Sequence, residues 1–139
     1  MLYHLLKPTQ LNSLHLSGIQ GLNFYKRKGR RKMQLSKHFK LEEFTKSMTA
    51  TRNGIKNMPG AGEIKNLENI CYEILEPLRA KFELPITITS GYRSPQLSEA
   101  IGSKTTSQHC QGMATDLEIA QIPNIKIAYW LSNNVDFDQ

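Results

Sequence analysis

The sequence predicts an α+β fold in which helices pack on a small antiparallel sheet. Apolar residues recur at helical spacing over 63–82, whereas residues alternate in polarity over 84–90 and 113–119, as strands do. The helices are clustered before and between the strands, which favours a segregated fold over a regularly alternating parallel one. The final stretch VDFDQ resembles the start of a further element, so we expect this domain to be incomplete at its C-terminus.

The first 32 residues differ in charge from the remainder of the chain. They hold seven of the 18 Lys and Arg residues and no acidic residue, whereas residues 33–139 hold the other eleven against 12 Asp and Glu. The tract KRKGRRK at 26–32 would suit a nucleic-acid-binding arm, but the near-neutral body offers nothing to support such a partner. We interpret 1–32 as a basic leader, disordered or translated from a mis-called start, because codons before Met33 can form a purine-rich ribosome-binding site.

The body begins with a short helix followed by a loop. Ser36 is predicted to cap a helix that runs through Lys46, with Leu41 and Phe44 as its buried positions. The next segment, 49–62, is rich in Asn, Gly and Pro, which is typical of a loop or a short helical turn.

A long amphipathic helix is predicted over 63–82, with Pro77 as a kink or break near its end. Its apolar positions at helical spacing are Ile64, Leu67, Ile70, Cys71, Ile74, Leu75 and Leu78. The strand over 84–90 is rich in β-branched residues and ends at the turn-forming Gly91 and Pro95.

The second half of the chain contains two more helices around the second strand. We expect a short helix over 96–101, a polar loop over 102–108, the strand over 113–119 and a helix over 122–131. Trp130 and its neighbour Tyr129 are predicted to lie in the core or at its rim.

Cysteine and hydropathy patterns narrow the class of protein. Two cysteines in 139 residues do not make a disulfide framework, so Cys71 is expected on a helix face and Cys110 in a gap beside His109. No apolar run is long enough to span a membrane. The N-terminal basic cluster follows the apolar residues, which is not the order of a signal peptide. We therefore expect synthesis in the cytoplasm without a secretion signal.

The segment SQHCQGMATD at 107–116 contains two residues of metal-ligand type. His109 at a loop end and Asp116 on the following strand can converge on one ion, with Gly112 permitting the turn between them. Alternation along the strand places Asp116 on one face with Ala114 and Glu118. The alternative is a solvent-facing pair in a surface loop. Glu118 is a nearby carboxylate that could act as a base or as a third ligand, but the stronger interpretation is an ordinary polar residue of the strand.

A second segment, SGYRSP at 90–95, offers a candidate for anion binding. Arg93 at a strand end, after a glycine turn, can receive a carboxylate in a bidentate manner. The alternative for Arg93 is an ordinary ion pair, and the alternative for Ser107 is capping of a helix or loop.

Together these segments resemble the zinc D-Ala-D-Ala peptidase family. The resemblance rests on SGYRSP, on AIGSKTTSQHCQGMATDLEI at 100–119 and on the segments 42–59 and 74–94, and covers about residues 34–139. The family includes bacterial D-Ala-D-Ala carboxypeptidases and dipeptidases and phage endolysins that cut peptidoglycan stem peptides.

The resemblance implies roles for four side chains. By it, His109 and Asp116 are ligands of a Zn²⁺ cofactor, and Arg93 and Ser107 lie near the carboxylate and carbonyl of the substrate. Residues 33–139 would then be a partial domain of this kind.

Two departures from the family pattern matter. Ser98 and Ser103 stand where the family usually has an asparagine and a glycine, and both changes are expected to alter a loop beside the site. The family's third zinc ligand is a histidine well after the aspartate, preceded by a catalytic glutamate, and no histidine follows His109 in this sequence. The other histidines, His4, His15 and His38, lie before the site in the leader or the first helix and are interpreted as solvated or loosely packed. We therefore expect weak zinc affinity, and a C-terminally truncated, inactive fragment of a peptidoglycan peptide hydrolase.

The alternative is a non-catalytic module that binds cell-wall peptides through Arg93 and Ser107. In either case the partner is a peptidoglycan stem peptide, and the intact hydrolase would act at the bacterial cell wall, reached by phage-driven release or another export route. The bond cut, a host or phage role, and the oligomeric state are left open by the sequence.

Overall fold

The structure is a computed structural model that describes residues 2–4 and 32–136. Its fold is α+β, as the sequence predicts. The helices and strands in chain order are β1 (Leu2–His4), α1 (Leu41–Thr45), α2 (Met48–Arg52), α3 (Ala61–Ile70), α4 (Glu76–Phe82), β2 (Ile86–Ser90), α5 (Pro95–Ala100), β3 (Ala114–Ile119) and α6 (Asn124–Asn134). A π-helical turn, Cys71–Leu75, joins α3 to α4, and a 3₁₀ turn, Gln108–Gln111, precedes β3.

The sheet is antiparallel, with strand order β1-β3-β2. Ile88 pairs with Leu117, but the next pair along is Ser90 with Asp116, so the register shifts between them. The extra residue, Thr89, makes this a β-bulge, a feature that bends a strand and redirects its side chains. The bulge therefore lies directly opposite Asp116.

The strand β1 adds Leu2–His4 to the other edge of β3. Residues 5–31, which include His15 and most of the basic tract, lie outside the described residues. The interpretation of 1–32 as a leader stays a prediction.

The long helix is present, and its seven predicted apolar positions are all buried. It runs from Ala61 to Phe82 with the π-helical turn in its middle, where the N–H of Glu76 donates to the carbonyl of Cys71. Pro77 follows at once and cannot donate a backbone hydrogen bond to the preceding turn. The predicted break at Pro77 is therefore accommodated by a wider turn within a continuous helical segment.

The core lies between this helix and the inner face of the sheet. Leu117 and Ile119 of β3 are 1% and 3% exposed, whereas Glu118 between them is exposed, as strand alternation predicts. Phe39 and Phe44 contact edge to face, with ring centroids 6.3 Å apart. The predicted burial of Leu41 and Phe44 is confirmed.

The predicted cap at Ser36 is wrong. The helix begins at Leu41, and the Ser36 hydroxyl instead donates to Glu76 Oε1 at 2.6 Å. The same carboxylate accepts from the backbone N–H of His38 at 2.9 Å and contacts its Nδ1 at 2.6 Å. His38, expected to be solvated or loosely packed, thus joins the N-terminal segment to α4. Although burial raises the pKa of Glu76, hydrogen bonds from Ser36 and His38 lower it below its ordinary value.

The remaining elements lie close to their predicted bounds. The segment predicted as a loop or short turn begins with α2, whose N-cap Ser47 accepts from the N–H of Ala50. Trp130 on α6 is half-buried, but Tyr129 is 73% exposed. The element expected from VDFDQ lies mostly outside the described residues. Within the described ranges, no helix is both long and apolar enough to cross a membrane.

Candidate functional site

His109 lies on the 3₁₀ turn between α5 and β3 and is 1% exposed. Ser107 caps this turn, because its Oγ accepts from the backbone N–H of His109 at 3.3 Å. Gly112 ends the turn with a φ of +68°, and a Cβ there would lie 2.5 Å from the carbonyl oxygen of Glu63. The turn that carries His109 therefore needs glycine for its backbone conformation and for its approach to α3.

The ring of His109 is oriented by the end of β2. Its Nδ1 lies 2.7 Å from the carbonyl oxygen of Gly91. Because a carbonyl oxygen can only accept, Nδ1 carries the proton and donates it, which leaves the lone pair of the neutral ring on Nε2. A hydrogen bond from one ring nitrogen to a backbone carbonyl is the usual way in which a metal-binding histidine is held.

Asp116 comes close to this nitrogen. Its Oδ2 lies 3.7 Å from His109 Nε2, which is too long for a hydrogen bond. Two ligands of a tetrahedral zinc ion, each about 2.1 Å from the metal, are separated by roughly 3.4 Å. The Oδ1 atom of Asp116 is buried and has no hydrogen-bond partner among residues 32–136. The pair therefore fits two ligands of one zinc ion, with an ion pair to a protonated His109 as the metal-free alternative.

Arg93 lies in the loop between β2 and α5, beside the histidine. Its backbone N–H donates to the carbonyl oxygen of His109 at 3.2 Å, so the two residues are joined through their main chains. The side chain is half-buried, and its Nε has no hydrogen-bond partner in the described part of the chain. A buried guanidinium N–H without an acceptor is costly and is suited to an incoming carboxylate.

The other candidate residues are placed less directly. Ser107 accepts a hydrogen bond through its Oγ in the capping contact named above, so its hydroxyl group can still donate one. Glu118 is exposed, two residues beyond Asp116 on the same face of β3. Cys110 points to α5, where its Sγ lies 3.1 Å from the Oγ of buried Ser98, so it fills a gap rather than facing the candidate ligands.

A complete catalytic zinc site has three protein ligands. Over residues 2–4 and 32–136, no group of three His, Cys, Asp or Glu side chains could hold a metal ion. The described residues thus bring His109 and Asp116 together, with Arg93 and Ser107 on adjoining turns, and supply no third ligand.

Two residues at this site were missed by sequence reasoning. Gln108 has a buried Oε1 without a hydrogen-bond partner among the described residues, next to His109. Asn57 is 8% exposed and hydrogen bonds to the main chain on both sides of Arg93. The one available signal for Asn57 was an amide in a loop-forming segment, since such side chains readily bond to backbone groups.

The environment of Tyr92 is low in polarity. Burial raises the pKa of its phenol, and the nearby Glu63 and Cys110 raise it further. Tyr92, the residue before Arg93, packs into the core cluster.

Comparison with known proteins gives one family. A family model described as Peptidase M15 matches residues 37–139, a range that contains Arg93, Ser107, His109 and Asp116. No curated protein and no solved structure matches the chain.

Proposed function

This chain belongs to the peptidase M15 family, and from that premise we propose that its site is built for zinc-dependent hydrolysis of peptidoglycan peptides. The observation that supports the proposal is the 3.7 Å approach of His109 Nε2 to Asp116 Oδ2, with the histidine ring held by the carbonyl of Gly91. His109 and Asp116 would hold the metal.

A zinc ion there would supply Lewis-acid polarisation of the scissile amide carbonyl. The chain's own residues bind and orient the peptide. Arg93 receives a substrate carboxylate through its guanidinium, and Ser107 donates its hydroxyl proton to the carbonyl oxygen. No third ligand joins His109 and Asp116 among the described residues, so we propose weak zinc binding and negligible hydrolysis for the 139-residue chain.

The place of action that fits this substrate is the bacterial cell wall. We propose that the protein reaches the wall through a membrane-permeabilising partner or another export route. Cleavage of a D-Ala-D-Ala bond and cleavage of another stem-peptide bond are both compatible with a site that binds a carboxylate near an amide.

Zinc titration of the 139-residue chain by calorimetry tests the ligand assignment. We expect His109→Ala and Asp116→Asn each to weaken binding by about tenfold or more, because each removes one of two ligands. His38→Ala is the matched control, since it removes a histidine that lies against Glu76 and should leave zinc affinity unchanged. Equal zinc affinity in all four proteins would overturn the assignment.

A second candidate function is a module that binds wall peptides without cleaving them. It is favoured by the unpartnered Nε of Arg93 together with the lack of a third ligand among the described residues. The test is binding of an N-acetylated D-Ala-D-Ala peptide with and without a chelator. Binding that persists in chelator and is lost in Arg93→Ala supports the module, whereas binding that requires zinc supports the hydrolase site.

A further inference from the structure

We propose that Asn57 is a positioning residue that sets the direction of the Arg93 side chain. It acts on the loop formed by residues 91–94, which links β2 to α5. This inference rests on the proposed function, because it assumes that Arg93 binds a substrate carboxylate. It adds a residue far away in the sequence whose hydrogen bonds to the site go to main-chain atoms.

The contacts of Asn57 enclose Arg93 from both sides. Its Nδ2 donates to the carbonyl oxygen of Tyr92 at 3.1 Å, and its Oδ1 accepts from the backbone N–H of Ser94 at 2.7 Å. The second Nδ2 hydrogen goes to the carbonyl oxygen of Thr45 at 3.0 Å, at the end of α1. Both donor hydrogens of the amide are thus used, and so is its acceptor oxygen.

The Asn57 side chain satisfies backbone groups that a neighbouring strand would satisfy in a sheet. The ladder of β2 ends at Ser90, and α5 begins at Pro95, so Tyr92 and Arg93 lie outside the regular hydrogen bonding of both elements. Tyr92 and Ser94 are 6% and 8% exposed, so water is poorly placed to satisfy their backbone groups. An asparagine amide presents one donor and one acceptor side by side, which matches the carbonyl and N–H that flank Arg93.

The side chain of Arg93 depends on this anchoring. Its Nε has no hydrogen-bond partner among the described residues, so the direction of the guanidinium is set mainly by where its backbone is held. That backbone is held by the carbonyl of His109, 3.2 Å from the Arg93 nitrogen, and by Asn57 at the carbonyl before Arg93 and the N–H after it. Loss of Asn57 would leave only the His109 contact to hold the Arg93 backbone, with the His109–Asp116 pair in place.

A double-mutant cycle on ligand binding tests the proposal. The full chain, in the presence of zinc, is titrated with an N-acetylated D-Ala-D-Ala peptide. We expect Arg93→Ala to weaken binding by about tenfold or more, as for loss of a charged hydrogen bond. Asn57→Ala should weaken binding severalfold alone and add less than about twofold to the Arg93→Ala background, because it acts through Arg93. Zinc affinity, measured in parallel, should not change in Asn57→Ala.

Asn66→Ala is the matched control. Its Nδ2 donates to the carbonyl oxygen of Gln111 at 2.8 Å, so it too ties an amide to a loop carbonyl, but on the far side of His109. Whatever effect Asn66→Ala has on peptide binding should add to that of Arg93→Ala. If Asn57→Ala adds to Arg93→Ala in the same way, Asn57 has only a general structural role and the proposal is overturned.

Asn57→Asp is the second variant in case Asn57→Ala does not fold. It keeps the size and the acceptor for Ser94 but loses both donors, so the Ser94 amide should stay protected from hydrogen exchange while peptide binding weakens. Unchanged peptide binding in a folded Asn57→Asp would count against the proposal. If Arg93→Ala itself leaves peptide binding unchanged, the proposed role of Arg93 fails, and the role of Asn57 fails with it. An additive cycle would instead leave the role of Arg93 intact and overturn only the role of Asn57.

Discussion

Replacing Gly112 by alanine should destabilise the protein through two separate effects. Its φ of +68° lies in the left-handed region, which costs a residue with a Cβ roughly 1–2 kcal/mol. The new Cβ would also lie 2.5 Å from the carbonyl oxygen of Glu63 and 3.1 Å from its Cα, so backbone must move, at a further cost of about 1–3 kcal/mol. We expect the free energy of unfolding to fall by about 2–5 kcal/mol.

Two other glycines separate these effects. Gly102 has a φ of +72° with nothing within 4 Å of an added Cβ, so Gly102→Ala measures the conformational cost alone. Gly91 has no positive φ, but its Cβ would lie 2.7 Å from the Cα of Phe44, so Gly91→Ala measures the clash alone. Urea unfolding of the three variants gives the comparison. Equal destabilisation by Gly112→Ala and Gly102→Ala would refute the argument that α3 and the 3₁₀ turn are in contact at this point.

Three further predictions concern stability and reactivity. Although burial raises the pKa of the Glu76 carboxyl, its hydrogen bonds lower the pKa by more, so the stabilisation from this group is present above pH about 4.5 and is lost as the pH falls through the depressed pKa. Urea unfolding between pH 3 and 7 should therefore show that Glu76→Gln loses less stability in acid than the original protein does. An identical dependence on pH in the two proteins would contradict this prediction. Burial raises the pKa of the Cys71 thiol, so a colorimetric thiol reagent should modify Cys71 only after denaturant is added. Rapid modification of Cys71 in the native protein would contradict its burial. Leu67→Ala at a fully buried position should cost about 2–5 kcal/mol, whereas Ile125→Ala at a 72% exposed position should stay within about 0.5 kcal/mol, as measured by denaturant titration.

The elements that follow from local pattern were well predicted. The helical spacing over 63–82 identified every apolar position that the helix buries, because periodicity depends only on neighbouring residues. Alternation over 113–119 correctly separated buried Leu117 from exposed Glu118. The approach of His109 to Asp116 was also predicted, since a glycine turn leading into a strand restricts how far apart the two can lie.

Features that depend on distant partners were not predicted. Ser36 was expected to cap a helix, but its hydroxyl reaches a carboxylate 40 residues later in the chain. Asn57 binds the N–H of a residue 37 positions away, and its own neighbourhood looks like an ordinary loop. The tautomer of His109 is set by a carbonyl 18 residues earlier. A single sequence does not reveal such pairs, because neither member carries a local signal for the other.

The β-bulge at Thr89 has a consequence for how this site tolerates different kinds of sequence change. The bulge adds one residue between the Ile88–Leu117 pair and the carbonyl of Gly91 that fixes the His109 ring. A substitution at Thr89, which is exposed, would not change the number of residues between Ile88 and Gly91. Removing its codon would let β2 and β3 pair without interruption, yet it would draw Gly91 back by one position along the strand and turn its carbonyl towards the opposite face. The length of the segment around Thr89 is therefore under tighter constraint than the identity of its residues. Related sequences should differ here by substitutions at Thr89 rather than by insertions or deletions in this segment.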